Sequence, residues 1–127
     1  MKLGLDLHGV IDKHPLIFKE LARSIITSSE NSVYIISGAS KDKIIKTLDR
    51  LDFTYYTYIF SIQDYLNENY FHLNEGINYN DGNHIYNDDL WDSIKGEFCR
   101  KEKLDLHIDD WEEYGKYFST PFLHMRG

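Results

Sequence analysis

Acidic and hydroxyl side chains follow directly on the short apolar runs of this 127-residue chain. Asp6 comes after the first run and Ser37 after the second, while Asp109 and Asp110 end the last run before the C-terminal segment. If these runs are parallel strands, their carboxyl ends meet at one edge of the sheet, where open sheets bind ligands. Carboxylates gathered there repel one another unless a cation lies between them, and hard oxygen ligands favour Mg²⁺. The pattern therefore predicts a metal-assisted site.

The elements that must position these groups are strands alternating with helices. Strands are predicted at 3–7, 33–36, 55–60 and 104–108, with a short fifth strand at 122–125. Helices are predicted after Pro15, after the capping Ser40, from about Gln63, and after Asn87 or Asp88 as a cap. Such alternation is typical of a parallel sheet with covering helices. We expect an α/β fold, a Rossmann-like three-layer sandwich with a mainly parallel central sheet.

The chain is expected to form a single domain over residues 1–127 with one small insertion at about 62–87. The insertion is polar and rich in Asn and Tyr. Its aromatic side chains either stack on a nucleobase or pack a small core of their own, and packing is the favoured interpretation. In the fourth strand, Asp105 and His107 interrupt the apolar run expected of a strand covered on both faces. That strand either lies near an edge or gives these side chains partners.

Charge and cysteine content limit the classes of function. With 14 basic and 21 acidic residues the net charge is −7, which disfavours extended nucleic-acid binding and an anionic membrane surface. The lone Cys99 excludes an internal disulfide and a multi-cysteine zinc site. The polar N-terminal segment does not resemble a signal peptide, and no apolar run approaches the roughly 20 residues of a membrane span. We expect a cytoplasmic protein.

Four short segments also occur in an informative order. They are Asp6-Leu7-His8-Gly9-Val10-Ile11-Asp12, then Ser37-Gly38, then Lys95 in the helix before the fourth strand, and finally Ile108-Asp109-Asp110. In this order they resemble the motifs of the haloacid dehalogenase-like (HAD) hydrolases, of the phosphatase type with a minimal cap. Phospho-acceptor receiver domains place the acid pair first and the lysine last, so they do not fit. No Gly-Lys-Ser/Thr follows the first strand, which excludes a P-loop protein.

The resemblance implies a Mg²⁺-dependent phosphohydrolase that acts on a phosphate monoester. Asp6 would attack phosphorus and form an aspartyl-phosphate that water hydrolyses. Mg²⁺ would be held by Asp6, by the backbone carbonyl of His8 and by Asp109. Asp110 would support the metal through water or position another ligand. Such a site works by positioning and by neutralising charge.

The same resemblance assigns the phosphate-binding groups. The Ser37 hydroxyl and the Gly38 amide would bind phosphoryl oxygens, and Lys95 would offset charge on both nucleophile and phosphate. The less favoured alternative, from its spacing alone, is that Lys95 only lays its stem along the apolar stripe of its helix. Lys101 and Lys103 compete for the role, although both lie nearer the helix end, where lysines usually interact with the helix dipole.

His8 departs from the family pattern, which usually has Asp at this position as general acid and base. Imidazole can perform both tasks, with a pKa near neutrality. His8 is thus a catalytic candidate beside Asp6 and Lys95. Two alternatives to hydrolysis stay open: a catalytically degenerate phosphate- and metal-binding module, and a phosphotransferase whose acceptor is not water.

The expected partner is a small phosphorylated substrate. Few residues separate the first motif from its helix, too few for a cap domain. A nucleotide, a nucleic-acid end and a small sugar phosphate are all compatible with the sequence. A homo-oligomer in which a neighbouring subunit closes the open site is a further alternative.

Overall fold

The fold of this chain is described by a computed structural model over residues 1–74 and 88–126. The strands are β1 (Lys2–Leu5), β2 (Ser32–Ser37), β3 (Tyr58–Ser61), β4 (Leu106–Asp109) and β5 (Phe122–His124). The helices are α1 (Pro15–Ile26), α2 (Lys41–Arg50), α3 (Ile62–Asn74) and α4 (Asp88–Lys101), with a tight turn at Leu7–Ile11 and a 3₁₀ helix at Glu112–Tyr117. None of the helices in these two ranges has the length and apolar character needed to cross a bilayer.

The strands form one parallel sheet in the order β3-β2-β1-β4-β5. Helices α1 and α2 bury apolar side chains against one face, in a cluster that includes Leu5, Ile35 and Leu48. On the other face, Ile36 of β2 packs with Cys99 of α4, and α3 packs on α4. The predicted α/β Rossmann-like three-layer sandwich is confirmed, and the sheet is entirely parallel.

Element boundaries differ from the predictions where side chains or turns end the pairing. The first strand stops at Leu5 because the Asp6 carboxylate accepts the Leu7 amide at 2.9 Å and starts a turn. The third strand begins only at Tyr58, since a turn at Thr54–Tyr56 precedes it. The predicted cap of α2 is confirmed, with Ser40 Oγ accepting the Lys43 amide.

The predicted insertion at 62–87 is partly a regular helix. Helix α3 occupies Ile62–Asn74, longer than the short helix expected from about Gln63. Ile62 and Leu66 are fully buried against α4, so this helix belongs to the layer that covers the sheet. The remainder of the insertion, with the predicted cap at Asn87, lies outside the described residues.

The polar residues of the fourth strand have partners. The Asp105 carboxylate accepts the Lys2 amide at 2.7 Å. His107 is fully buried, and its Nε2 lies 2.8 Å from Oδ2 of Asp109. Strand β4 lies beside the edge strand β5. The interruption of the apolar pattern is therefore explained by hydrogen bonding.

Candidate active site

The carboxyl ends of β2, β1 and β4 meet because β1 lies between the other two. The chain order reverses at this point of the sheet, which is where open α/β sheets bind ligands. A cavity of about 400 Å³ opens there. All predicted site residues except Asp109 line it, namely Asp6, His8, Ser37, Gly38, Lys95 and Asp110. Asp109 lies directly behind them, fully buried.

The turn after β1 places Asp6 and His8. The Asp6 amide donates to the carbonyl of Ile108, which ties the turn to β4. Gly9 has a φ of +87°, a conformation that favours glycine, and a side chain there would collide with the carboxylate of Asp110. Asp12 accepts the Gly9 amide at 2.7 Å and lies 3.2 Å from Nδ1 of His8. Local hydrogen bonds thus define the shape of this turn.

Lys95 is the buried cation of the site. Its side chain is 2% exposed, and its Nζ lies 3.0 Å from Asp6 Oδ1 and 2.7 Å from Asp109 Oδ2. The same ammonium lies over the ring of Tyr114, 4.8 Å from its centroid. Burial alone would lower the pKa of Lys95, but the two carboxylates raise it above its usual value, so the lysine is charged. Its position excludes the alternative in which it only covers apolar surface.

The two buried carboxyls differ in their electrostatics. Burial is the largest influence on Asp6 and raises its pKa well above the usual value; Lys95 opposes this, while Asp109 adds to it. Burial also acts to raise the pKa of Asp109, but Lys95 and the hydrogen bond from His107 outweigh it and hold that pKa below its usual range. The low pKa of Asp109 keeps it ionised, whereas Asp6 tends to hold a proton without further positive charge.

This arrangement fits a divalent cation. Carboxylate oxygens of Asp6, Asp109 and Asp110 lie within 4.8 Å of one another, and all are hard ligands of the kind Mg²⁺ prefers. Among the described residues that line the cavity, Lys95 is the one buried cation, and Lys13 lies at an exposed position where solvent screens its charge. When all three carboxylates are ionised, Lys95 alone therefore leaves an excess of two negative charges. A divalent cation would balance that excess and remove the reason for Asp6 to hold a proton.

His8 and the β2 loop complete the predicted set. The His8 side chain is 57% exposed at the rim of the cavity, next to Asp12. Ser37 is 1% exposed at the end of β2, and the Gly38 carbonyl accepts the amide of Gln63 from α3. The structure therefore brings every sequence-predicted site residue to one place.

Sequence reasoning missed Lys13, which lines the cavity at an exposed position, and it also missed three aromatic residues and one histidine of this region. The aromatic residues that line the cavity are Trp91, Trp111 and Tyr114. His107 forms a hydrogen bond with the carboxylate of Asp109 on the side away from the cavity. The position of Trp111, immediately after the acidic pair, was an available signal. His107 stood out only as a polar residue in an apolar strand, which says nothing about its partner.

A scan of protein-family models, a search of curated proteins and a search of solved structures each find no match to this chain. The functional conclusion therefore depends on the geometry of the residues themselves.

Proposed function

We propose that this protein is a Mg²⁺-dependent phosphohydrolase that cleaves a phosphate monoester, with Asp6 as the nucleophile. The observation that carries the proposal is the cluster of Asp6, Lys95, Asp109 and Asp110 beside Ser37 in one open cavity. Phosphoryl transfer needs a positioned nucleophile and neutralised charge, and this cluster offers both. The order of the motifs, which resembles that of HAD hydrolases, supports the same conclusion.

In the first step, a carboxylate oxygen of Asp6 attacks phosphorus, and the bond from phosphorus to the ester oxygen breaks. The leaving alkoxide takes a proton and departs as the alcohol. Water then attacks the aspartyl-phosphate, which releases inorganic phosphate and restores the Asp6 carboxylate. A bound Mg²⁺ would be held by Asp6, Asp109, Asp110 and the His8 carbonyl, and would supply positive charge to the phosphoryl oxygens.

The remaining residues bind phosphate and transfer protons. The Ser37 hydroxyl and Gly38 amide donate to phosphoryl oxygens, and Lys95 offsets the charge that builds up next to Asp6. His8 protonates the leaving group and then accepts a proton from water. Its half-exposed position at the rim, beside Asp12, supports this role because the leaving group must point out of the cavity.

The substrate we propose is a small phosphate monoester whose leaving group carries a flat aromatic ring, such as a nucleotide with its base. Trp111 supports this choice, since its side chain is 54% exposed and lines the same cavity as Asp6. Base stacking on an aromatic side chain contributes about 1–3 kcal/mol, so Trp111→Ala should lower kcat/KM for a nucleoside monophosphate about tenfold. A sugar phosphate should be unaffected. An equal loss for both substrates would reject stacking as the source of selectivity.

The decisive experiment measures hydrolysis of an aryl phosphate with Mg²⁺. Wild-type protein should turn over, chelator should stop the reaction, and Asp6→Asn should abolish it. Asp105→Asn is the matched control, because Asp105 lies outside the cavity and its bond to the Lys2 amide can be kept by an amide oxygen. Turnover that persists in Asp6→Asn or without a divalent cation would overturn the proposal.

His8→Asp separates hydrolysis from a degenerate binding module. A loss of rate is expected if His8 is the working acid and base, whereas a large gain would favour the degenerate module. Product analysis with competing alcohols distinguishes hydrolysis from transfer to another hydroxyl. A cytoplasmic location also belongs to this proposal, and the single, buried Cys99 supports it.

A further inference from the structure

We propose that His107 is a positioning residue that fixes the Asp109 carboxylate for metal binding, an inference that rests on the proposed function. His107 and Asp109 are two residues apart on β4, so their side chains lie on the same face of the sheet. Asp109 ends the strand at the site, and His107 lies one layer deeper, fully buried. The histidine therefore contacts the proposed metal ligand from the side away from the cavity, which His107 itself does not line.

The contacts of the Asp109 carboxylate show that His107 donates the hydrogen bond between the two residues. Oδ2 of Asp109 lies 2.8 Å from His107 Nε2 and 2.7 Å from Lys95 Nζ. An ionised carboxylate only accepts, so the imidazole donates from Nε2. The other oxygen, Oδ1, accepts the Trp111 amide at 3.1 Å. Three donors, from β4, from α4 and from the loop after β4, thus fix the plane of the Asp109 carboxylate.

The surroundings are shaped to hold an imidazole ring. Gly4 is the register partner of His107 on β1, and a Cβ at position 4 would lie only 2.7 Å from His107 Nδ1. On the other side, the ring stacks on Phe118 with centroids 5.2 Å apart and planes 12° apart. A glycine at the register position and a parallel aromatic ring together define the plane of the imidazole.

Packing alone does not explain a histidine here. Within the described part of the chain, His107 Nδ1 is buried and has no partner at hydrogen-bonding geometry, although the backbone of Gly4 lies close enough to favour the charged ring. Burying a polar nitrogen without a partner is unfavourable, and an aliphatic side chain would avoid that cost. The favourable polar contact of the ring is the bond from Nε2 to Asp109, and this bond to a site residue is what distinguishes histidine from leucine at this position.

Loss of the hydrogen bond from His107 should change the affinity for Mg²⁺ more than it changes substrate binding. Donors to metal ligands orient them, and loss of such a donor typically lowers metal affinity or activity about 10- to 100-fold. His107→Leu removes the donor, His107→Asn is too short to replace Nε2, and His107→Gln places an amide N–H at a similar reach. Phe118→Leu is the control, since it alters the packing of the ring and leaves the donor in place.

The test is Mg²⁺ affinity by isothermal titration calorimetry, without substrate. His107→Leu and His107→Asn should bind about 10- to 100-fold more weakly than wild type, while His107→Gln and Phe118→Leu stay within a few-fold. At saturating Mg²⁺, KM for an aryl phosphate should be unchanged. Should His107→Leu not fold, the comparison of His107→Asn with His107→Gln decides.

Two results overturn this role: wild-type affinity in the variants without the donor, or equal weakening in His107→Gln and His107→Asn. Absence of Mg²⁺ binding by the wild type would overturn both this inference and the proposed function. If wild type binds Mg²⁺ through His107-supported Asp109 but hydrolyses no phosphate monoester, the proposed function fails and the positioning role stands.

Discussion

Replacement of Lys95 by methionine tests the electrostatics of the site directly. Lys95 is 2% exposed, and its partners Asp6 and Asp109 are 8% and 0% exposed, so solvent screens these pairs little. Removing one partner of a buried ion pair costs about 3–5 kcal/mol because the other charge stays buried. With a urea dependence of about 1–3 kcal/mol per molar, the unfolding midpoint of Lys95→Met should fall by roughly 2 M at pH 7.

The loss should depend on pH with a defined sign. The pKa of Asp109 is lowered in the folded protein, so its ionised form stabilises the fold above its unfolded pKa of about 3.9. That contribution is lost as the pH falls towards the folded pKa. Without Lys95 the pKa of Asp109 rises, so the difference between wild type and variant should be largest near neutrality and shrink below about pH 4.

Urea unfolding followed by circular dichroism, at pH 7 and at about pH 2.5 without divalent cations, measures both effects, because the lower pH lies below the unfolded pKa of Asp109. Lys101→Met is the matched control, because Lys101 pairs with Glu97 at an exposed position and should change stability by less than about 1 kcal/mol. Unfolding of Lys95→Met at the wild-type midpoint, or an equal loss at both pH values, would refute the electrostatic reasoning.

Three further predictions concern close packing at Gly9, Cys99 and Gly96. Gly9→Ala should destabilise the protein by about 1–3 kcal/mol, because alanine strains a backbone with positive φ. It should also weaken Mg²⁺ binding, because the added Cβ displaces the carboxylate of Asp110. Scanning calorimetry measures the stability and titration calorimetry the Mg²⁺ affinity; an unchanged affinity would contradict the close contact with Asp110. Burial raises the pKa of the Cys99 thiol to about 12, so at pH 8 a disulfide reagent should label it only after unfolding, and rapid labelling of folded protein would be inconsistent with this burial. Gly96→Ala should cost about 1–3 kcal/mol in urea unfolding, since its Cβ meets the Tyr117 carbonyl; wild-type stability would show that this contact relaxes freely.

Residues at strand ends could be predicted from the sequence because the sheet itself brings them together. Asp6, Ser37 and Asp109 each follow an apolar run, and parallel pairing places such positions at one edge. Lys95 is different, because its helix also carries Lys101 and the spacing alone did not separate them. Its selection came from a resemblance, and its burial in the folded chain shows that it reaches Asp6 and Asp109.

Contacts between distant segments could not be predicted. The space for His107 depends on Gly4, about one hundred positions earlier, and the orientation of its ring depends on Phe118. The length of α3 was underestimated because its buried face, which includes Leu66, is defined by packing on α4 rather than by a clear apolar stripe. Sequence patterns record which residues are apolar, but they do not record which distant element covers them.

The central claim is a covalent phosphoryl transfer to Asp6, and trapping the intermediate tests it most directly. Protein mixed with an aryl phosphate and Mg²⁺ is quenched and treated with borohydride, which reduces an aspartyl-phosphate to homoserine, and the peptides are analysed by mass spectrometry. The account predicts homoserine at position 6, dependent on both substrate and Mg²⁺. Modification at another carboxylate, or steady hydrolysis with Asp6 never modified, would contradict it.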